Sequence, residues 1–159
     1  MSKFTHIDAA GQPNMVDVSE KDVTVRTARA RTIMVFSNEV VKSLKSNGLK
    51  TKKGPVFQTA IIAGNMAVKR TSDLIPLCHP LPISKCSVDI NFNDKDEVVI
   101  ECFVKMKGQT GVEMEALTGC SVAALTVYDM VKSFSHDILI KETRLIEKSG
   151  GKSDYHAGK

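Results

Sequence analysis

The sequence contains no tryptophan, two tyrosines and six phenylalanines in 159 residues. That scarcity tells against a module that binds single-stranded RNA, because such sheets stack bases on exposed aromatic rings. The two strands that would form its middle carry only Phe92 and Phe103, without the K/R-G-F-x-F-V-x-F spacing. Charge excess is small as well: 22 Lys and Arg stand against 18 Asp and Glu, a formal net charge of +4. This is too little to imply nucleic acid, yet it permits an anionic small molecule where cations converge. No apolar run approaches a membrane span, and the opening MSKFTHIDAAGQPN lacks the apolar stretch of a secretory signal. The four cysteines, Cys78, Cys86, Cys102 and Cys120, form no C-x-x-C pair, so no zinc spacing is present and reduced, buried thiols are expected. The expectation is a cytoplasmic protein with no nucleic-acid or membrane partner.

What is present is ordinary for a globular domain: 42% hydrophobic and 25% charged residues. One domain is expected over residues 1–159, with a loose arm at 1–15, a core at 16–148 and a polar tail at 149–159. Val23, Val25, Ile33 and Val35 alternate with polar residues and predict a strand from about 23 to 36. Ser37 reads as the N-cap of a short helix that ends at Gly48. Gly54-Pro55 reads as a helix start with proline in the first helical position. Val56, Ala60, Ile61, Ala63, Gly64 and Ala67 then give that helix a face of small side chains suited to close packing. KCSVDINFN and VVIECFVKMKG alternate strictly around NDKDE and predict a hairpin. A long helix follows, opened by a Thr110–Glu113 capping box, with Ala116, Leu117, Cys120, Ala124, Val127 and Val131 as its apolar stripe. HDILIKETRLIEK is the last strand. The order strand, helix, helix, strand, strand, helix, strand describes an α+β, ferredoxin-like sandwich. Its antiparallel sheet would carry helices on one face, and the other face would need a partner, which favours an oligomer.

Four stretches can carry chemistry. In KTKKGPVF, Lys50, Lys52 and Lys53 precede a helix start, where cations oppose the dipole; a bound anion would resolve the conflict, and a lysine held there should have a lowered pKa. A solvated basic loop is the plain reading. In GVEMEAL, Glu113 and Glu115 suit the first helical turn, and one could instead receive the ring N–H groups of a base-like substrate, with Met114 beside them. In YDMVK, Asp129 and Lys132 share a helix face, as a surface ion pair or as a proton-handling couple. In LIPLCHPLP, Pro76, Pro80 and Pro82 preclude a helix interior or a central strand. The prolines would hold Leu77, Cys78 and His79 open toward a pocket, near Lys69, Arg70 and Asp73. Glu115 and Asp129 lie 14 residues apart, roughly 21 Å of helix. One small ligand cannot use both within one copy.

KRTSDLIPLCHPL, TGVEMEAL, SVAALTVYDMVK, the early MVDVSEK and the late KSGGKSD together resemble the molybdenum cofactor biosynthesis protein C family, from about residue 5 to 154. The resemblance implies a ferredoxin-like fold and a homohexamer, a trimer of dimers with its site between subunits. It implies a lyase, a cyclic pyranopterin monophosphate synthase, that acts on 3′,8-cyclised 7,8-dihydro-GTP and releases pyrophosphate without a metal or organic cofactor. Carried over by motif, catalysis falls to Lys53, Asp129 and Lys132, and substrate contact to Leu77, Cys78, His79, Met114 and Glu115. Arg26, Arg70, Lys148 and Lys152 would meet the triphosphate. The rival reading is an oligomer that binds a nucleotide without chemistry.

Overall fold

The computed structural model describes residues 11–158; ten residues of the expected N-terminal arm, 1–10, lie outside them. Among the described residues, seven strands and four helices follow one another: β1 (Thr24–Val35), α1 (Asn38–Ser46), β2 (Lys50–Thr51), β3 (Gly54–Pro55), α2 (Val56–Val68), α3 (Thr71–Leu74), β4 (Lys85–Phe92), β5 (Val98–Gly108), α4 (Glu113–Val131), β6 (Leu139–Ser149) and β7 (Tyr155–His156). The main sheet has the order β4-β5-β1-β6-β7, and every neighbouring pair is antiparallel. β2 and β3 make a separate small ladder. The architecture is therefore α+β, a five-stranded antiparallel sheet with helices on one face. Among the described residues, no helix is long and apolar enough to cross a membrane.

The hairpin strands turn their faces as their alternation requires. Val98, Ile100, Cys102, Val104 and Met106 of β5 are buried, beside Val88 and Ile90 of β4. β1 behaves differently from its sequence reading. Its inward set is Arg26, Ala28, Ala30, Thr32 and Met34, while Val25 is half exposed. The reason lies above the strand. α4 packs across β1, and a helix can approach a sheet this closely only over small side chains such as Ala28 and Ala30.

Helix ends also depart in places from expectation. Ser37 does cap α1, its Oγ accepting from the Val40 N–H at 3.4 Å. Pro55, however, is the N-cap of α2 rather than its first helical residue, because Gly54 and Pro55 are first engaged as β3. The Thr110–Glu113 capping box does not form. Val112 is the N-cap of α4 without a side-chain cap bond, and Glu113 pairs with Lys148 instead. Within the segment expected as a tail, the chain turns at Gly150 (φ +81°) and returns as β7 along Glu147 and Lys148 of β6.

The contact between α2 and α4 rests on two glycines. A Cβ on Gly64 would meet the Gly119 carbonyl oxygen at 2.9 Å, and one on Gly119 would meet Cys102 Sγ at 2.6 Å and Val68 Cγ2 at 2.8 Å. Cys102 and Val68 are both buried, so neither can swing away. Gly119→Val is expected to lower stability by about 3 kcal/mol through overpacking. Urea unfolding measures this, and a midpoint equal to that of the wild type would refute the close approach.

Candidate active site

The candidate residues gather at opposite ends of α4. At its C-terminal end, Lys53 projects from the turn between β2 and β3. Its Nζ donates to Asp129 Oδ2 at 2.6 Å and to the Asp129 main-chain oxygen at 3.0 Å. That carbonyl belongs to the last helical turn, where intrahelical partners run out. Lys132 Nζ holds the other carboxylate oxygen, Oδ1, at 2.8 Å. Asp129 is thus gripped by two ammonium groups, and the hydrogen bonds from Lys132 and then Lys53 drive its pKa down to about 2. Reciprocally, the hydrogen bond to Asp129 raises the pKa of Lys132. All three side chains stay about half exposed. Lys53 reaches away from the start of α2 to the negative end of α4, which eases the conflict read from KTKKGPVF.

At the other end of α4, the proline segment leaves α3 as an irregular, half-buried chain. A turn closed by Cys78 N–H to the Ile75 carbonyl (3.0 Å) begins it. Leu77, Cys78 and His79 line a cavity of about 280 Å³ with Met114 and Glu115 from the first turn of α4. His79 Nε2 lies 2.9 Å from the Val16 carbonyl oxygen. A carbonyl only accepts, so Nε2 carries the hydrogen, and in the neutral ring Nδ1 remains an acceptor. Glu115 is 3% exposed. Among the described residues no other residue gives it a hydrogen bond or an ion pair, and burial pushes its pKa up to about 7. Burial, and secondarily the Glu115 charge, also pushes up the Cys78 thiol, which keeps it protonated and poorly nucleophilic.

A larger cavity of about 500 Å³ adjoins the first, sharing Lys21, Thr110, Gly111 and Glu113 with it. Its wall carries Arg26, Lys148 and Lys152. Arg26 is 9% exposed; its Nε donates to the Gly108 carbonyl and its Nη2 to the carbonyls of Asp22 and Gln109. Lys148 Nζ pairs with Glu113 Oε1 at 2.9 Å. The Glu113 carboxylate folds back over Gly111, where any Cβ would collide with it at 1.9 Å. Arg70 is not brought to either cavity or to Asp129; it is an exposed residue at the N-cap of α3.

The geometry thus contains a cavity lined by Lys21, Arg26, Lys148 and Lys152 together with Glu20, Asp22 and Glu113, adjoining a half-apolar one, and a Lys-Asp-Lys cluster at the other end of α4. The family model that matches this sequence is the MoaC family, over residues 15–151. The chain belongs to the MoaC family. A relative from Xanthomonas oryzae pv. oryzae, named cyclic pyranopterin monophosphate synthase, is 53% identical over 98% of this chain and 94% of that protein. A Synechocystis protein named molybdenum cofactor biosynthesis bifunctional protein is 54% identical over 95% of this chain. The molybdenum cofactor biosynthesis protein 1 of Dictyostelium discoideum is 48% identical over 96% of it. The chain spans 45% and 27% of the length of those two longer relatives.

Two features of this MoaC-family site were not legible as site features beforehand. Lys21 ends the motif word MVDVSEK without a role being assigned to it, Gln109 lies in the polar run KGQTG, and only the folded chain sets them beside Arg26. Glu113 was legible as a helix-start carboxylate but not as the partner of Lys148. That partner lies 35 positions downstream on another strand, and local spacing carries no signal of it.

Proposed function

We propose that this chain is a cyclic pyranopterin monophosphate synthase, a lyase that converts 3′,8-cyclised 7,8-dihydro-GTP to cyclic pyranopterin monophosphate and pyrophosphate. The observation that carries the reading is the joined pair of cavities. One has Lys21, Arg26, Lys148 and Lys152 on its wall beside Glu20, Asp22 and Glu113, and the other holds a buried carboxylate with no partner from another residue among the described residues. A triphosphate fits the first, because clustered cations hold its oxygens and stabilise departing pyrophosphate. The purine-derived ring fits the second. Its N–H groups would supply the hydrogen bonds that Glu115 lacks, between Met114 and the Leu77-Cys78-His79 wall.

The chemistry needs proton transfers for hydrolytic opening and rebuilding of the ring. It also needs a ribose-derived hydroxyl to attack the α-phosphorus. In that step the new O–P bond forms, the bond to the β-phosphate oxygen breaks, the hydroxyl proton passes to a base and pyrophosphate departs. Holding hydroxyl and phosphorus in line is mainly positioning catalysis. Lys53, Asp129 and Lys132 are assigned the proton and charge handling. Lys132, with its pKa raised, holds its proton and is suited to stabilise negative charge. Asp129 is suited to orient both ammonium groups.

Glu115 and Asp129 stand 14 residues apart on one unbroken helix, α4, roughly 21 Å. A complete site therefore requires the Lys53 cluster of one copy to meet the cavities of another. This favours the homohexamer, a trimer of dimers of ferredoxin-like subunits, working in the cytoplasm on a small-molecule substrate. The strand order supports the ferredoxin-like description: β4 and β6 flank the β5-β1 centre as two interleaved β-α-β units require.

Purified protein incubated with enzymatically made 3′,8-cyclised 7,8-dihydro-GTP should release pyrophosphate and yield a pterin that fluoresces after oxidation. Tight binding of that compound with neither signal would replace the synthase by a nucleotide-binding oligomer without catalysis.

A further inference from the structure

Glu115 belongs to two cavities at once. It lines the ring cavity, and it also lines a much smaller chamber of about 10 Å³. The chamber shares His79 and Leu81 with the ring cavity as well. Lys69, Thr71 and Ser72 close it where α2 passes into α3. A space of this size holds a single water when two to four polar groups surround it, and the polar groups here form such a set.

Glu115 is 3% exposed, and among the described residues only its own main-chain N–H bonds the carboxylate. A carboxylate so deeply buried is costly without further donors. Thr71 is 1% exposed, and its hydroxyl hydrogen is engaged by the carbonyls of Ala67 (3.2 Å) and Val68 (3.1 Å). A hydroxyl oxygen still has two lone pairs, so Thr71 remains an acceptor. Ser72 is half-buried and makes no side-chain hydrogen bond among the described residues, so its hydroxyl is an unused donor. One water joins the three groups. It accepts from Ser72 Oγ, donates one hydrogen to Thr71 Oγ1 and donates the other to Glu115.

We propose that the chamber is a site for one ordered water, held by Ser72 and Thr71, that bonds one oxygen of the Glu115 carboxylate and leaves the other to the ring cavity. Ser72 is thereby a positioning residue for ring recognition, acting through the water on Glu115. This rests on the reading that Glu115 receives the ring N–H groups.

The water also acts on charge. Burial pushes the Glu115 carboxyl up, and a hydrogen bond donated to the carboxylate works against that rise. Only the ionised form offers both oxygens as acceptors. Loss of the water should therefore remove the acceptor at neutral pH and return it at higher pH. The other titratable groups around Glu115 are Glu113 on α4, Lys69 at the end of α2, Lys21, Cys78 and His79. A change at Ser72 leaves all of them in place.

The test uses the full chain and its Ser72→Ala, Ser72→Val, Glu115→Gln and Ser72→Val/Glu115→Gln variants. Alanine removes the hydroxyl alone, and valine replaces it with methyl groups. Crystal structures at a resolution that shows waters should place one within reach of Glu115, Thr71 Oγ1 and Ser72 Oγ in the wild type and none in Ser72→Val. KM for the cyclised nucleotide should rise about tenfold in Ser72→Val at pH 7, the factor that one pKa unit represents. The rise should be much smaller at pH 9, and kcat should stay within about twofold, since the Lys53 cluster is untouched. Ser72→Ala should move KM in the same direction by less. In the Glu115→Gln background Ser72→Val should add nothing. Urea midpoints between pH 5 and pH 9 need no turnover: stability linked to Glu115 should persist to higher pH in Ser72→Val than in the wild type. No water at this position, a KM rise equal at pH 7 and pH 9, or the same rise in the Glu115→Gln background would overturn the assignment, while normal wild-type turnover leaves the synthase reading standing. A wild type that shows the water, with the urea shift in Ser72→Val, but releases no pyrophosphate would support the water site and overturn the synthase reading instead.

Discussion

Lys53→Ala is expected to reduce product formation by about 10²- to 10⁴-fold, the range associated with losing a positioned proton-transfer group. The same variant should keep its far-ultraviolet circular dichroism and nearly its thermal midpoint. Both expectations come from one geometry. Lys53 and Asp129 are about half exposed, and ion pairs in such surroundings add little to folding stability. The side chain also covers one carbonyl of the last turn of α4, which water can reach once the lysine is gone. In the site the loss is larger. Asp129 would keep only Lys132, and its pKa should climb from about 2 back toward its ordinary 3.8. Lys53→Arg separates the two ways a lysine can act. A guanidinium keeps the charge but does not give up its proton, so it should restore the ion pair and leave turnover low if Lys53 moves a proton. Normal product yield from folded Lys53→Ala would end the catalytic assignment.

Glu115→Gln should change how stability depends on pH, by up to about 3 kcal/mol. Burial raises the Glu115 carboxyl from 4.5 to about 7 in the folded chain. Between those values the folded protein holds a proton that the unfolded chain has released. Stability linked to this group is therefore full below about 4.5 and is lost as pH rises through about 7. Glutamine has no such proton to lose, so the variant should gain on the wild type as pH rises. Urea midpoints at pH 5 and pH 8 give the comparison, and parallel pH profiles for the two proteins would refute a lone buried carboxylate. A structural carboxylate would not be left in this state, and the same residue should set substrate affinity. Replacing the carboxylate by an amide removes one of its two acceptor oxygens, so KM should rise in the variant whose stability gains on the wild type as pH rises. That opposition between stability and affinity is the signature of a site residue.

The sequence by itself determined the kinds of element and most of their order. Strict alternation in KCSVDINFN and VVIECFVKMKG placed β4 and β5 and the correct inward residues. Ser37 and Gly48 bracketed α1, because a cap and a left-handed glycine act over a few residues of chain. Three prolines marked 74–82 as irregular, since a missing N–H and a fixed φ are local properties. Motif words then named the family and most of the candidate site.

Tertiary structure decided what depends on residues far apart in the chain. It turned Ala28 and Ala30 inward rather than Val25, because α4 lies across β1 and the smaller side chains permit that approach. It drew Glu113 away from a capping box to Lys148, and Lys53 away from the start of α2 to Asp129, since an opposite charge close in space outweighs a weak local preference. It also left Glu115 buried without an ion pair among the described residues and hung residues 16–22 on His79, Gln109 and Arg26. Neither is written in any local pattern: burial and long-range hydrogen bonds exist only once distant segments have been packed together.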